Sequence, residues 1–140
     1  MGKQVTVAIA GLGSRGKDTY APFARLFPDR MKIVAIADID PERVKEVGTV
    51  YDVPEENWFD SAEALLEEPR LADAIFITTQ DQQHVKQAVK AMEKGYDILM
   101  EKPISPDLSE CREIVRRSRE LGRKVVVCHV LRYTPFYQQV

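Results

Sequence analysis

Ala10-Gly11-Leu12-Gly13-Ser14-Arg15-Gly16, residues 10–16, decides how the rest of the chain is read. Gly11, Gly13 and Gly16 stand in GxGxxG spacing, directly after an apolar run and directly before sequence of helical character. That context gives the motif its meaning. Gly11 allows a tight turn, Gly13 lets the backbone approach a pyrophosphate, and Gly16 lets a helix pack close to the strand. The helix N-terminus offers unpaired N–H groups to an anion, and Ser14 and Arg15 are candidate contacts within the same loop. A merely tight structural turn would use the same glycines. The strand-glycine-helix setting favours dinucleotide binding.

Outward from the motif, strands and helices alternate. Apolar runs at Val5–Ala10, Lys32–Ala37, Asn57–Asp60, Ala74–Thr78, Tyr96–Met100 and Lys124–Cys128 read as six strands. They are nearly continuously apolar, as strands covered by helices on both faces must be. Pro41–Val47 reads as a helix with proline in its first turn and Asp40 as its cap. Ser61 caps another, and the apolar stripe Val85, Ala88, Val89, Met92 marks a helix over Gln83–Lys94 that ends at Gly95. Leu108–Leu121 repeats the pattern and stops at Gly122. Pro22 predicts a short turn after Gly16 before the main helix. The alternation predicts an α/β fold, a doubly wound parallel sheet in the order 3-2-1-4-5-6. Residues 1–125 are expected to form the nucleotide-binding domain. Residues 126–140 are expected to hold the last strand and the start of a connection to a second domain.

Composition sets the bounds. The chain has 140 residues, 44% of them hydrophobic and 30% charged, with a net charge of −2. That balance gives no reason to expect nucleic acid or an anionic membrane as partner. No apolar run approaches the roughly 18 residues of a membrane span. The N-terminal residues lack the apolar core and cleavage site of a secretory signal, and Cys111 and Cys128 have no metal-type spacing. Both cysteines are expected to be buried free thiols, and the protein is expected to be cytoplasmic.

Four further positions point toward chemistry. Asp38 closes the second strand about 20 residues past the motif, where an acid accepts hydrogen bonds from ribose hydroxyls and repels a 2′-phosphate. It favours NAD over NADP, although Arg43 lies near enough to tolerate a phosphate. A cap for the following helix is the plainer role for Asp38. Thr79 and Gln80 lie in the loop after the fourth strand, beside the switch point of the sheet. His84 faces inward with Ala88 and Met92, either as a core histidine or as part of that rim. The fifth strand ends in Glu101-Lys102-Pro103. Successive residues point to opposite faces, so Glu101 and Lys102 cannot share a role. A lysine there can move a proton at an alcohol or carbonyl oxygen. It can equally be a charged strand end with a proline stop.

Taken together, Gly11-x-Gly13-x-x-Gly16, Asp38, Thr79 with His84, Glu101-Lys102-Pro103 and Arg132-Tyr133-x-Pro135 resemble the cofactor domain of the glucose–fructose oxidoreductase/inositol 2-dehydrogenase/rhizopine-catabolism family, Gfo/Idh/MocA. The resemblance spans essentially the whole chain, and Glu-Lys-Pro after a fifth strand is its most specific part. It implies a Rossmann domain followed by a larger α/β domain that supplies the substrate pocket and the oligomer interface. It implies Lys102 as the residue that contacts substrate and nicotinamide and assists proton transfer, and Glu101, Thr79, Gln80, His84 and Arg132 near the cofactor. It implies hydride transfer between NAD(P) and a sugar, inositol or related polyol. The usual Thr-Pro-Asn is here Thr79-Gln80-Asp81. The second domain's aspartate and histidine have no counterpart, so the chain reads as one part of a homo-oligomeric enzyme. Two other readings stand beside this one. One is a non-enzymatic NAD(H)-sensing module. The other is the cofactor domain of a different dehydrogenase or reductase class, which would not be expected to carry Glu101-Lys102-Pro103.

Overall fold

The apolar runs pair side by side as one six-stranded sheet in the order β3-β2-β1-β4-β5-β6, every neighbouring pair parallel. The strands are β1 (Val5–Ala10), β2 (Met31–Ala37), β3 (Trp58–Phe59), β4 (Ala74–Ile77), β5 (Asp97–Glu101) and β6 (Val125–Cys128). This is the doubly wound sheet, and the strand order, that the alternation predicts. The computed structural model describes all residues except 1, 130, 131, 133 and 140, and of Tyr137 the backbone alone. The chain first lays β2 and β3 to one side of β1, then returns to lay β4, β5 and β6 on the other. The crevice opened by that reversal sits at the carboxyl ends of the strands, where Gly11 follows β1, Asp38 follows β2 and Thr78 follows β4.

Helices bury both faces of the sheet. On one, α3 (Ala62–Glu67), α4 (His84–Lys94) and α5 (Leu108–Leu121) pack Leu65, Leu66, Met92 and Ile114 against Ile75, Ile77, Ile98 and Met100. On the other, Ala21 and α2 (Pro41–Val50), through Val44 and Val47, cover Val7, Ile9, Ile33 and Ile36. Each large aliphatic side chain removed from water contributes about 1.5–3 kcal/mol, so two such layers hold the sheet from both sides. The predicted end signals are in place. Asp40 accepts from Glu42 N at 3.0 Å and Ser61 Oγ from Ala64 N at 3.1 Å. Gly95 and Gly122 close α4 and α5 at φ +96° and +64°.

β2 departs from strict alternation. Val7 pairs with Ile33 but Ala8 pairs with Ala35, so Val34 is an extra residue accommodated as a bulge. Val34 and Ala35 both pack toward the α3/α4 face, while Ile33 and Ile36 both pack toward α2. The Val34 carbonyl accepts from Asn57 Nδ2 at 2.8 Å.

Four expectations need correction or completion. The chain winds already from Ser14, as a π-helical segment Ser14–Tyr20, rather than as a short turn after Gly16. Pro22 then takes the first position of a five-residue helix, α1 (Pro22–Leu26), where its missing N–H costs nothing. Cys111 and Cys128 are free but half-buried rather than buried, because α5 and β6 lie at the sheet's margin. The sheet also continues past residue 125. All of β6 pairs with β5, from Val125 against Ile98 to Cys128 against Glu101, so a boundary at 125/126 falls inside a strand. Of the aromatic residues near the end of the chain, Phe136 in α6 (Pro135–Gln138) is 70% exposed. Tyr133 and the side chain of Tyr137 lie outside the described residues.

Candidate functional site

The glycine loop is built by contacts too close for any side chain. Gly11 turns at φ +98°, and a methyl group on it would lie 2.6 Å from the Thr78 carbonyl oxygen. A methyl on Gly16 would lie 1.9 Å from the Gly11 carbonyl oxygen and 2.8 Å from Thr78 Oγ1. Thr78 locks the turn from the next strand: its hydroxyl donates to Gly11 O at 2.6 Å and its N–H to Ala10 O at 2.9 Å. Gly13 differs. Its hypothetical methyl meets only Arg43 Nη1, at 4.0 Å. Bareness there serves no internal contact and leaves open backbone at the mouth of the crevice. Ser14 and Arg15 are exposed on the same loop.

Asp38 is 92% buried, and its carboxylate organises the rim. Oδ2 accepts from Leu12 N at 2.6 Å, tying β2 to the glycine loop, and Oδ1 accepts from Asp40 N at 2.8 Å. The helix-capping role falls to Asp40, which leaves Asp38 to the crevice. Arg43 stands over this corner, Nη1 at 3.9 Å from Asp38 Oδ2 and Nε at 3.6 Å from Asp40 Oδ2.

The loop after β4 is fastened from behind by α4. His84 is fully buried, with Nε2 2.9 Å from the Thr79 carbonyl and Nδ1 3.0 Å from the Pro103 carbonyl. It is a core histidine that joins two rim segments, and its ring nitrogens are turned to backbone rather than to the crevice. Gln80 is exposed at the loop tip. One turn beyond His84, Gln87 is 2% exposed yet reaches the crevice wall. Its Oε1 accepts from Thr79 Oγ1 at 2.5 Å, and its Nε2 donates to Glu63 Oε1 at 3.0 Å. That hydrogen bond holds the Glu63 carboxyl below the usual carboxylate range.

At the end of β5, Glu101 is buried and Lys102 is exposed, the opposed orientation expected of neighbours in a strand. Glu101 Oε1 accepts from the Tyr20 hydroxyl. Burial, reinforced by Cys128 and Glu101, pushes the Tyr20 phenol up. Tyr20 also rests edge-on against Phe76, ring centres 5.9 Å apart. Glu101 is thus a held group and Lys102 a presented one.

The crevice has a volume of about 340 Å³ and is lined by Gly11, Gly13, Asp38, Arg43, Thr79, Gln80 and Gln87, among others. A larger depression of about 580 Å³ shares Asp38 and Ile39 but lies between α2 and β3, away from the glycine loop. A family model described as an oxidoreductase family with an NAD-binding Rossmann fold matches residues 5–129. The chain belongs to the Gfo/Idh/MocA family. Among curated relatives, the chain is 30% identical over 140 residues to scyllo-inositol 2-dehydrogenase (NAD(+)) of Bacillus subtilis, covering 98% of itself and 39% of that protein. It is 27% identical over 134 residues to 4-carboxy-2-hydroxymuconate-6-semialdehyde dehydrogenase of a Sphingobium strain, covering 96% of itself and 41% of that protein. The WlbA dehydrogenase of Chromobacterium violaceum, solved with NADH and UDP-GlcNAcA, shares the fold with a TM-score of 0.86. At 20% identity, that match covers 99% of this chain and 39% of the other. The chain therefore spans about two fifths of the length of these proteins.

The cofactor of this Gfo/Idh/MocA domain is NAD. The crevice fits it: the open face of Gly13 gives a pyrophosphate room to approach, and the buried Asp38 carboxylate stands beside it. The fold brings Gly11, Gly13, Asp38, Thr79 and Gln80 around one cleft, with Ser14 and Arg15 on the adjoining loop. His84 sits behind that cleft, and Glu101 and Lys102 lie at the next strand end. Arg132 stands apart, exposed, its N–H donating to His129 O at 3.1 Å. Tyr20, Glu63 and Gln87 were not foreseen. Gln87 had a signal, since it is a polar residue three positions from His84 on the stripe that α4 buries.

Proposed function

We propose that the chain is the cofactor half of an oxidoreductase that moves hydride between NAD and a CH–OH carbon of a sugar, inositol or related polyol. The observation that carries this reading is the end of β5, where Glu101 is buried and tied to Tyr20 while Lys102 is free to face a substrate. Bound NAD would supply the hydride acceptor. Lys102 moves the hydroxyl proton, and the protein holds it in place through the neighbouring Pro103, whose carbonyl faces His84 at 3.0 Å. Gly11, Gly13, Ser14, Arg15 and Gly16 cradle the pyrophosphate, Asp38 takes the adenosine ribose, and Thr79 and Gln80 border the dinucleotide. The likeness to an inositol dehydrogenase supports the substrate class, and the semialdehyde dehydrogenase shows that relatives also act on other substrates. We place the protein in the cytoplasm, a reading supported by two unpaired cysteines. Among the described residues no helix is long and apolar enough to cross a membrane. We place it in a homo-oligomer, assembled through the second domain that the resemblance implies. The test is turnover of a panel of inositols, aldoses and aliphatic alcohols by the whole protein, followed as NADH fluorescence. Activity confined to the simple alcohols, or none with NAD, would overturn the reading.

Cofactor choice gives a separate test. NAD is expected to bind at least tenfold more tightly than NADP, because a phosphate beside the buried Asp38 carboxylate loses water without gaining a partner. Asp38→Ser should narrow that gap to about threefold or less, since Arg43 is then released toward the phosphate. Equal calorimetric affinities for the two dinucleotides in the unaltered protein would show that Asp38 does not select.

A further inference from the structure

The far wall of the crevice holds a polar arrangement that neither the glycine loop nor the proton-transfer residue requires. Gln87 is almost wholly buried, and buried amides persist where both ends are satisfied. Its orientation is fixed by chemistry. The Glu63 carboxylate only accepts, so the amide nitrogen of Gln87 faces it, at 3.0 Å, and the amide oxygen is left for the Thr79 hydroxyl. The Glu63 carboxylate also takes the residue's own backbone N–H, and its remaining lone pairs are acceptors at the crevice wall. Gln83, one turn before Gln87, turns its carbonyl oxygen toward Gln87 Nε2 at 3.5 Å, which leaves its own NH2 as a donor. Ile39 faces the same crevice from the end of β2 and is 86% exposed, an apolar side chain with nothing of the protein to cover it.

An apolar wall with one acceptor and one donor at its end suits a flat heterocycle whose edge carries a donor and an acceptor. We propose that Glu63 and Gln83, oriented through Gln87, read the exocyclic amine and ring nitrogen of the adenine while Ile39 packs on its face. This rests on the assignment of the crevice to NAD, and it places the adenine on the Asp38 side of the glycine loop. The chain thereby selects a 6-amino over a 6-oxo purine. Hypoxanthine presents an oxygen where adenine presents an amine, and an N–H where adenine presents a lone pair. Against Glu63 and Gln83 both partners are then mismatched. Thr79 belongs to the same line of groups, because its hydroxyl proton is committed to Gln87 and only its lone pairs face outward.

Calorimetric titration with NAD and with nicotinamide hypoxanthine dinucleotide tests the proposal directly. NAD should bind roughly tenfold or more tightly, the scale of one hydrogen bond to a charged acceptor. Glu63→Gln, a substitution at an exposed position, can turn its amide to donate to the 6-oxo group. It should bring the ratio of the two affinities to about one or invert it, with an unchanged melting temperature. Glu63→Ala, which offers neither donor nor acceptor, should lower the ratio without inverting it. A native ratio within twofold, or a ratio unmoved by Glu63→Gln, overturns the adenine assignment and leaves NAD binding standing. Failure of NAD itself to bind overturns both.

Discussion

Turnover by the whole protein is expected to fall by about two to four orders of magnitude in Lys102→Ala, the range for losing a positioned proton donor or acceptor. The geometry behind this is the division of labour at the end of β5. Glu101 is turned inward and held by Tyr20, so the next side chain must turn outward. Lys102→Arg should be about as inactive as the alanine variant, because a guanidinium keeps the charge but does not release its proton. NAD affinity should change less than about threefold in either variant, since Lys102 is exposed and lies outside the crevice lining. The informative measurement is therefore a split: kcat collapses while calorimetric binding of NAD holds. Near-normal kcat in Lys102→Ala would return this lysine to a charged strand end.

A pair of glycine substitutions should separate what the loop does for the fold from what it does for the ligand. Gly16→Ala drives a methyl to 1.9 Å from the Gly11 backbone oxygen, with the Thr78 hydroxyl crowding it at 2.8 Å, so the turn itself must shift. It should cost about 1–3 kcal/mol of stability, as overpacking does, and lower NAD affinity about a hundredfold by displacing the loop's N–H groups. Gly13→Ala puts its methyl into open space at an ordinary φ of −76°. Its melting temperature should stay within about 2 °C of the native value. Its NAD affinity should nevertheless fall, because the methyl occupies the approach reserved for the cofactor. A Gly13→Ala protein that binds NAD normally would refute the cradle.

Sheet order and the capped helix limits were legible because they depend on local chemistry: apolar runs of strand length, Asp40 and Ser61 as caps, Gly95 and Gly122 as left-handed stops; the end of α2, with no such stop, lies at Val50 rather than Val47. The place of Asp38 at the crevice was legible for a related reason, since it ends an apolar run and a neighbouring Asp40 was present to cap the helix. What escaped depends on contacts between distant residues. The continuously apolar run of β2 gives no sign that Val34 is extra, because the skipped register lies in the pairing with β1. Gln87 looks like an ordinary helix residue until Thr79 and Glu63, from different elements, close on it. His84 illustrates the limit most clearly. Its inward direction followed from helical spacing, but its partner at Pro103 is 19 residues away and follows from no periodicity.

The bulge at Val34 means that β2 carries one residue more than its alternation needs. Removing that spare residue leaves Ile33, Ala35, Ile36 and Ala37 on strictly opposite faces, the same faces they occupy now. Asp38 keeps its side of the sheet. The strand thus behaves like a text with one silent letter, whose loss preserves the reading frame of everything downstream. Deletion of Val34 should give a folded chain that still binds NAD, weakened mainly by the loss of the Asn57 hydrogen bond and of one partly buried side chain. Deletion of Ile36 would keep the same downstream faces but should cost far more, because Ala35 would then stand where the α2 core needs a large aliphatic group. Length variation in β2, wherever it is tolerated, should concentrate at this one position.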